Sequence, residues 1–220
     1  HKLPGLDAMD EAIGRATEMG QPVHFSPGIM ALNDAQTMAG MAVLGYVAKR
    51  CAELGAALIA TNKATVVYPV AEAIVRQGYL EAGEPEAMKP GTVRFISEDQ
   101  FAYASGVGRI FRTEHPAANL MVGSFWAEAI ILAENAAKYG MIQIGGTTNT
   151  HAIPFFVAAC DYALIGEEIY AAGAYLTKEP GQVAGLIAED WFKVAAQGLI
   201  VIGAIMATFG VNTVKDFLAK

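Results

Sequence analysis

The stretch NLMVGSFWAEAIILAENAAKYGMIQIGG, residues 119–146, decides how this chain folds. It begins with a short apolar run (119–123), continues with a helical pattern over 125–140 and ends with a second apolar run (141–146). A strand, a helix of more than ten residues and another strand form a unit whose two strands are parallel. The stretch therefore predicts part of a parallel β-sheet with a helix packed on it.

The same alternation extends from this stretch towards both ends of the chain. Strands are predicted in six apolar segments, which are 22–25, 56–60, 92–96, 119–123, 141–146 and 161–166. Helical patterns separate these segments, and short, continuously apolar strands are typical of a sheet buried on both faces. The sequence predicts a three-layer α/β fold, a mostly parallel sheet with helices on both faces that is Rossmann-like in architecture.

The composition is apolar for a protein of this type. Hydrophobic residues make up 54% of the 220 residues and charged residues 17%, against about 25% charged in average soluble domains. The apolar excess and the Ala/Gly-rich helices favour a homo-oligomer or contact with lipid, in addition to a doubly covered sheet. The net charge is −7 and Lys and Arg do not cluster, so no nucleic-acid partner is predicted.

No motif specific for a known chemistry is present in the sequence. Cys51 and Cys160 lie far apart in apolar segments, which is typical of buried free thiols. His24, His115 and His151 are scattered without acidic or cysteine partners at ligand spacing, so no metal site is predicted. The sequence identifies no cofactor, and it leaves open whether the protein is an enzyme.

The segment VAAQGLIVIGAIMATFGV, residues 194–211, contains no charged residue. As a helix its eighteen residues would be about 27 Å long, close to the ~30 Å apolar core of a bilayer. Trp191 and Lys193 flank it, as residues that settle at lipid interfaces do. We therefore expect an α/β domain over 1–180 and a C-terminal apolar helix within 181–220 that anchors the protein to a membrane. The alternative is a terminal helix buried in the domain or in an oligomer interface.

Ligands of open parallel sheets bind beyond the carboxyl ends of the strands. The most suggestive loop in that position is GGTTNTH, residues 145–151, because glycines let a ligand approach the backbone and a helix N-terminus favours an anion. The predicted ligand-binding residues are Gly145, Gly146, Thr147, Thr148 and Asn149, with Lys63 and Ser26 approaching from neighbouring loops. The alternative is that these residues only form turns and helix caps.

Five runs of the sequence resemble a known family. They are LPGLDAMDEAIGRATEMGQPVHFSPG (3–28), EDQFAYASGV (98–107), ANLMVGSFWAEAIILAE (118–134), IQIGGT (142–147) and PFFVAACDYALIGEEIYAAGAYLTKEP (154–180). They resemble an uncharacterised prokaryotic family of domains of unknown function whose members look like membrane-tethered α/β domains. The resemblance implies a membrane helix near one end of the chain and implies no activity or catalytic residue.

Two functional classes follow from these observations. The first is a membrane-tethered, self-associating α/β scaffold or assembly domain without catalysis, located at a membrane whose side the sequence does not determine. The second is a domain that binds an anionic small molecule or nucleotide, or acts on it, with the loops at the carboxyl edge of the sheet.

Overall fold

The computed structural model describes residues 4–177 and 191–204. Within 4–177 the helices are α1 (Pro4–Met19), α2 (Ala35–Leu54), α3 (Tyr68–Glu81), α4 (Gln100–Glu114), α5 (Glu128–Lys138), α6 (Ile153–Ala159) and α7 (Glu167–Thr177). The strands are β1 (Val23–Gly28), β2 (Leu58–Asn62), β3 (Val93–Phe95), β4 (Ala118–Ser124), β5 (Ile142–Thr147) and β6 (Tyr162–Ile165), and a 3₁₀-helix covers Pro85–Ala87.

Local sequence signals set the ends of the longest helix, α2. Asp34 has an extended backbone before the helix, and its carboxylate accepts a hydrogen bond from the backbone N–H of Thr37 at 2.8 Å. Gly55 ends the helix with a left-handed φ of 74°, and the N–H groups of Gly55 and Ala56 donate to the carbonyls of Ala52 and Cys51. The N-cap and the left-handed glycine satisfy backbone groups that the helix leaves unpaired.

The six strands form one sheet in the order β3-β2-β1-β4-β5-β6, and every neighbouring pair is parallel. This is the strand order of the dinucleotide-binding doubly wound sheet. The register between β1 and β4 shifts between Ser26 and Gly28, so Gly28 lies opposite Ser124. From β1 the chain adds β2 and β3 on one side of the sheet, and it then returns to add β4, β5 and β6 on the other side of β1.

Helices cover both faces of the sheet. One hydrophobic cluster joins α1, α2, α3 and α7 to the sheet, and it includes Phe25, Leu44 and Leu120. The second joins α4, α5 and α6 to the opposite face, and it includes Tyr103 and Leu132. The predicted three-layer α/β fold with a parallel sheet and helices on both faces is confirmed, as are the six predicted strands.

The C-terminal part of the chain is described over 191–204, which is helical. The chain divides into two compact units, the first ending at Thr177 and the second beginning at Lys178. The rest of the predicted apolar helix, 205–211, lies outside the described residues, so the helix as a whole and the domain limits at 180 and 181 stay predictions. Among residues 4–177 and 191–204, no helix combines the length and the apolar character needed to cross a bilayer.

Candidate functional site

The point at which doubly wound sheets bind ligands lies between β1 and β4, because the connections that follow these strands leave on opposite faces. After β1 the chain passes through residues 29–34 into α2, and this loop contains no glycine. The glycine-rich turn that holds a dinucleotide pyrophosphate in such sheets is therefore missing from the sequence at its usual position.

The backbones of β1, β4 and α2 approach each other closely at this point. A Cβ atom on Gly123, where φ is 150°, would lie 2.0 Å from the carbonyl oxygen of Pro27. A Cβ atom on Gly40, in the second turn of α2, would lie 2.2 Å from the carbonyl oxygen of Val122. These glycines bring protein backbone against protein backbone, so they are required for packing at the end of the sheet.

The loop between β5 and α6 is held by the side chain of Gln36 at the start of α2. The amide oxygen Oε1 of Gln36 accepts hydrogen bonds from the backbone N–H of Thr148 at 2.8 Å and from the hydroxyl of Thr147 at 3.2 Å. The hydroxyl of Thr147 in turn accepts from the N–H of Asn149, and Asn149 Oδ1 accepts from the N–H of His151. The backbone donors predicted to meet an anion are thus engaged within the protein.

The two predicted ligand glycines lie inside β5 and are buried. A Cβ atom on Gly145 would lie 1.9 Å from a ring carbon of Phe156 and 2.8 Å from the sulfur of Cys160. A Cβ atom on Gly146 would lie 3.2 Å from Val122 and 3.4 Å from Ile169. Gly145 therefore allows α6 to pack close to the sheet, and Gly146 lies in the apolar core on the other face.

The structure brings Thr147, Thr148 and Asn149 together but does not bring Ser26 or Lys63 to them. Ser26 is in β1, two strands from β5, and it is completely buried. Lys63 follows β2, three strands from β5, which corresponds to about 14 Å across the sheet. A ligand bound by all of the predicted residues would therefore have to cross β1 and β4, and the role of each in binding stays a prediction.

A buried chain of polar side chains, which we call the polar network, crosses β1, β2 and β4 beneath α4. His24 Nδ1 lies 2.8 Å from Asn119 Oδ1, and His24 Nε2 lies 2.8 Å from the hydroxyl of Thr61. The hydroxyl of Tyr103 lies 3.0 Å from that of Thr61 and 2.7 Å from that of Ser26. Its five members, His24, Ser26, Thr61, Tyr103 and Asn119, have no exposed surface.

Burial keeps the polar network neutral. It lowers the pKa of His24 to about 4, although the hydrogen bond with Asn119 opposes this effect. With a neutral ring, Nδ1–H donates to Asn119 and Nε2 accepts from Thr61. Burial also raises the pKa of Tyr103 to about 12, so its phenol remains protonated. The network is fully enclosed and gives β1 a fixed position between β2 and β4.

Glu128, the first residue of α5, is also completely buried at the carboxyl end of the sheet. Its carboxylate accepts hydrogen bonds from the backbone N–H of Trp126 at 2.8 Å and from the side-chain amide of Gln100. The ring of Trp126 is half exposed and stacks on His151 with 6.5 Å between ring centroids. Glu128 thus joins the start of α4 to the start of α5 and holds the loop before α5.

The polar network and the bonding role of Gln36 were not predicted from the sequence. One signal was present, since His24 and Ser26 are polar residues two positions apart in an apolar strand and must share one face of the sheet. Their partners Thr61, Tyr103 and Asn119 come from distant parts of the chain. Among the described residues, no group of three His, Cys, Asp or Glu side chains could hold a metal ion.

One exposed apolar surface of the α/β unit lies on α5 and α6. A groove of about 340 Å³ between these helices is lined by alanines of α5 together with Phe155 and Phe156 of α6. Ile130, Phe155 and Val157 beside it are each more than a third exposed. An apolar surface of this kind marks a contact with another molecule more often than an isolated exposed side chain does.

Comparison with known proteins places the chain in a family. A family model described as "Domain of unknown function (DUF6754)" matches residues 1–218, and the chain belongs to this family. No curated protein and no solved structure matches the chain significantly. The family description assigns no activity, so the function has to be argued from the residues of this chain.

Proposed function

We propose that this protein is a non-catalytic, self-associating α/β assembly domain that the apolar segment 194–211 tethers to a membrane. The observation that carries the proposal is the exposure of large apolar side chains in the helix 191–204. The exposed fraction is 78% for Phe192, 70% for Ile200 and 56% for Ile202.

The exposed side chains surround this helix completely. Successive helical residues point about 100° apart, so Leu199, Ile200, Val201 and Ile202 face four different directions. All four are about half exposed or more, and the uncharged sequence continues to Val211. A helix that is apolar on all sides needs apolar surroundings on all sides, and lipid provides them.

The self-association in this proposal is supported by the apolar groove between α5 and α6. The same patch on two copies can form an isologous contact, which is the commonest arrangement in homo-oligomers. Ile130, Phe155 and Val157 would supply the apolar centre of such a contact. Glu134, which also lines the groove, would remain at the polar rim.

The test is flotation of the full chain with lipid vesicles on a density gradient. Leu199, Ile200, Val201 and Ile202 are replaced by Glu one at a time. If lipid surrounds the helix, each of the four variants should float less, because a charge within a bilayer costs about 3 kcal/mol at the centre of a helix. Replacing Gln77 by Glu on the exposed face of α3 adds the same charge to the α/β unit and should not change flotation.

The pattern over the four positions decides the outcome. If Glu reduces flotation at only one or two of the four positions, the helix lies on the bilayer surface or packs against protein. An unchanged flotation in all four variants, or no flotation of the unaltered chain, would contradict the membrane tether. Self-association is measured separately by the mass of the detergent-solubilised protein, which Phe155→Glu should reduce to that of a monomer.

A second candidate is the binding of an anionic small molecule or nucleotide at the carboxyl edge. One observation favours it: Asn62 at the end of β2 is buried, and neither its Nδ2 nor its Oδ1 has a hydrogen-bond partner among the described residues. Buried amides are nearly always bonded, so a bound group could supply the partner. Inorganic phosphate and adenosine monophosphate are suitable probes, and stabilisation by either that Asn62→Leu abolishes would favour this function.

A further inference from the structure

A cavity of about 560 Å³ lies at the amino end of the sheet, opposite the end at which such folds usually bind ligands. The end of α2 contributes Cys51 and Ala52, α3 contributes Tyr79, and β2 contributes Leu58. The segment 89–92 before β3 forms another wall. The volume is within the range of pockets that hold small molecules.

Tyr79 brings a hydroxyl group to the part of the cavity that is otherwise lined by apolar side chains. Only 3% of the residue is exposed. Its hydroxyl has no hydrogen-bond partner within the described part of the chain, and burial, followed by the nearby Cys51, raises its pKa to about 12. A phenol that stays protonated and lacks a protein partner can donate to a group inside the cavity.

Among the described residues, the charged groups that line the cavity are Lys89, Arg94 and Glu114. The lining therefore has a net charge of +1, whereas the whole chain has a net charge of −7. Arg94 Nη2 lies 2.9 Å from a Glu114 carboxylate oxygen, and Arg94 Nε donates to the carbonyl of Gly91 at 2.6 Å. Glu114 therefore neutralises Arg94. Lys89 is exposed and forms no ion pair within residues 4–177, so its ammonium group is the charge left to meet a ligand.

The walls between these polar groups are apolar and chemically inert. Cys51 is fully buried, and burial raises the pKa of its thiol to about 12, so it is not a nucleophile at neutral pH. Leu58 and Ala52 are also buried. The carbonyls of Cys51 and Ala52 accept hydrogen bonds from the N–H groups of Ala56 and Gly55, so both are already paired at this end of α2.

We propose that this cavity binds a small carboxylate with an apolar body and a second oxygen atom. The carboxylate is attracted by Lys89, the apolar body lies against Leu58 and Cys51, and the second oxygen accepts the hydrogen bond of Tyr79. This site is independent of the membrane tether and of the carboxyl-edge loops, so it can be tested whether or not the proposed function is correct.

The experiment measures the affinity of the full chain for four probes by ligand-observed NMR titration. The probes are benzoate, 3-hydroxybenzoate, 4-hydroxybenzoate and 4-hydroxybenzamide. At least one hydroxybenzoate should bind about three- to tenfold more tightly than benzoate because it gains one hydrogen bond. The neutral amide should bind more weakly than the matching acid. Two hydroxyl positions are used because the reach to Tyr79 depends on where the ring lies.

Two variants separate the contributions of the two residues. Tyr79→Phe keeps the ring and should remove the preference for the hydroxylated acid while leaving benzoate binding unchanged. Lys89→Gln should weaken the acids about three- to tenfold and leave the amide unchanged. The proposal is overturned if no acid binds at millimolar concentration, if the amide binds as well as the acids, or if Tyr79→Phe keeps the hydroxyl preference or weakens benzoate to the same extent.

Discussion

At the carboxyl end of the sheet the loops bond to one another, whereas at the amino end the hydroxyl of Tyr79 faces an open cavity and has no hydrogen-bond partner within residues 4–177 and 191–204. Gln36 holds the N–H of Thr148, and Glu128 holds the N–H of Trp126. Asn62 is the exception at the carboxyl end, since its buried amide is unpaired among the described residues. The difference shows that a fold's usual ligand position does not by itself locate the site in a given chain, because local bonding can fill that position.

The largest expected effect concerns two glycines at opposite ends of the sheet. Gly123→Ala should lower the free energy of unfolding by about 3 kcal/mol or more, because the new Cβ overlaps the backbone of Pro27 at an unfavourable φ. Gly55→Ala at the end of α2 meets open space and should cost only about 1 kcal/mol for its left-handed φ. Urea unfolding of both variants measures the difference. Equal losses would show that the carboxyl end is not more tightly packed.

The second prediction concerns acid. The pKa of His24 is about 4 in the folded chain and about 6.5 when it is exposed, so only the unfolded chain takes up this proton between these pH values. The free energy of unfolding should therefore fall as the pH falls from 6.5 to 4, by up to about 3 kcal/mol from this residue. Urea titrations at several pH values measure the slope.

His24→Gln should remove most of this pH dependence, and His115→Asn should keep it because His115 is exposed. The substitution at His115 also suits its left-handed backbone, where φ is 47°. An unchanged slope in His24→Gln would mean that other groups cause the acid sensitivity. The polar network would then not be the source of the pH dependence of the free energy of unfolding.

The third prediction compares two tyrosine hydroxyls. Tyr103→Phe should cost about 1–3 kcal/mol, since it removes the partner of the buried hydroxyls of Ser26 and Thr61. Tyr79→Phe removes a hydroxyl that has no partner in the described part of the chain and should change stability by less than about 0.5 kcal/mol. Thermal or urea unfolding of the two variants tests the contrast. A large loss for Tyr79→Phe would indicate that its hydroxyl contributes to the folded chain after all.

The smallest expected effect concerns the loop between β5 and α6. Gln36→Ala should cost about 1 kcal/mol and should speed the hydrogen exchange of the Thr148 amide, whose acceptor it removes. Gln77→Ala removes an exposed bond to Glu81 and serves as the matched control, with almost no effect. If the exchange at Thr148 does not change, Gln36 is not what closes the carboxyl-end loop.

The strands and helices were predictable because their signals are local. The apolar runs around 119–123 and 141–146, with a helical pattern between them, fall on β4, β5 and α5. Asp34 and Gly55 mark the ends of α2 by cap chemistry that involves neighbours in the chain. The parallel sheet follows from the length of the connections, so it also needed no knowledge of distant contacts.

The candidate site was predictable only in part. Thr147 ends β5, and Thr148 and Asn149 follow it at the carboxyl edge, where the sequence pattern predicts them. Gly145 and Gly146 were predicted to let a ligand approach the backbone, and in the structure a side chain at Gly145 would collide with Phe156. A glycine in a strand can admit either a ligand or a helix, and the sequence does not distinguish between them.

The sequence by itself determined the α/β class, the six strands and the apolar character of 194–211, because hydrophobic periodicity acts over a few residues. Only the tertiary structure decided the strand order, and with it which residues meet. His24 and Asn119 are ninety-five positions apart, and they bond because β1 and β4 became neighbours. The cavity beside Tyr79 likewise depends on how α2, α3 and the segment before β3 pack around the amino end of the sheet. Such contacts depend on the position of whole elements in space, which no local pattern encodes.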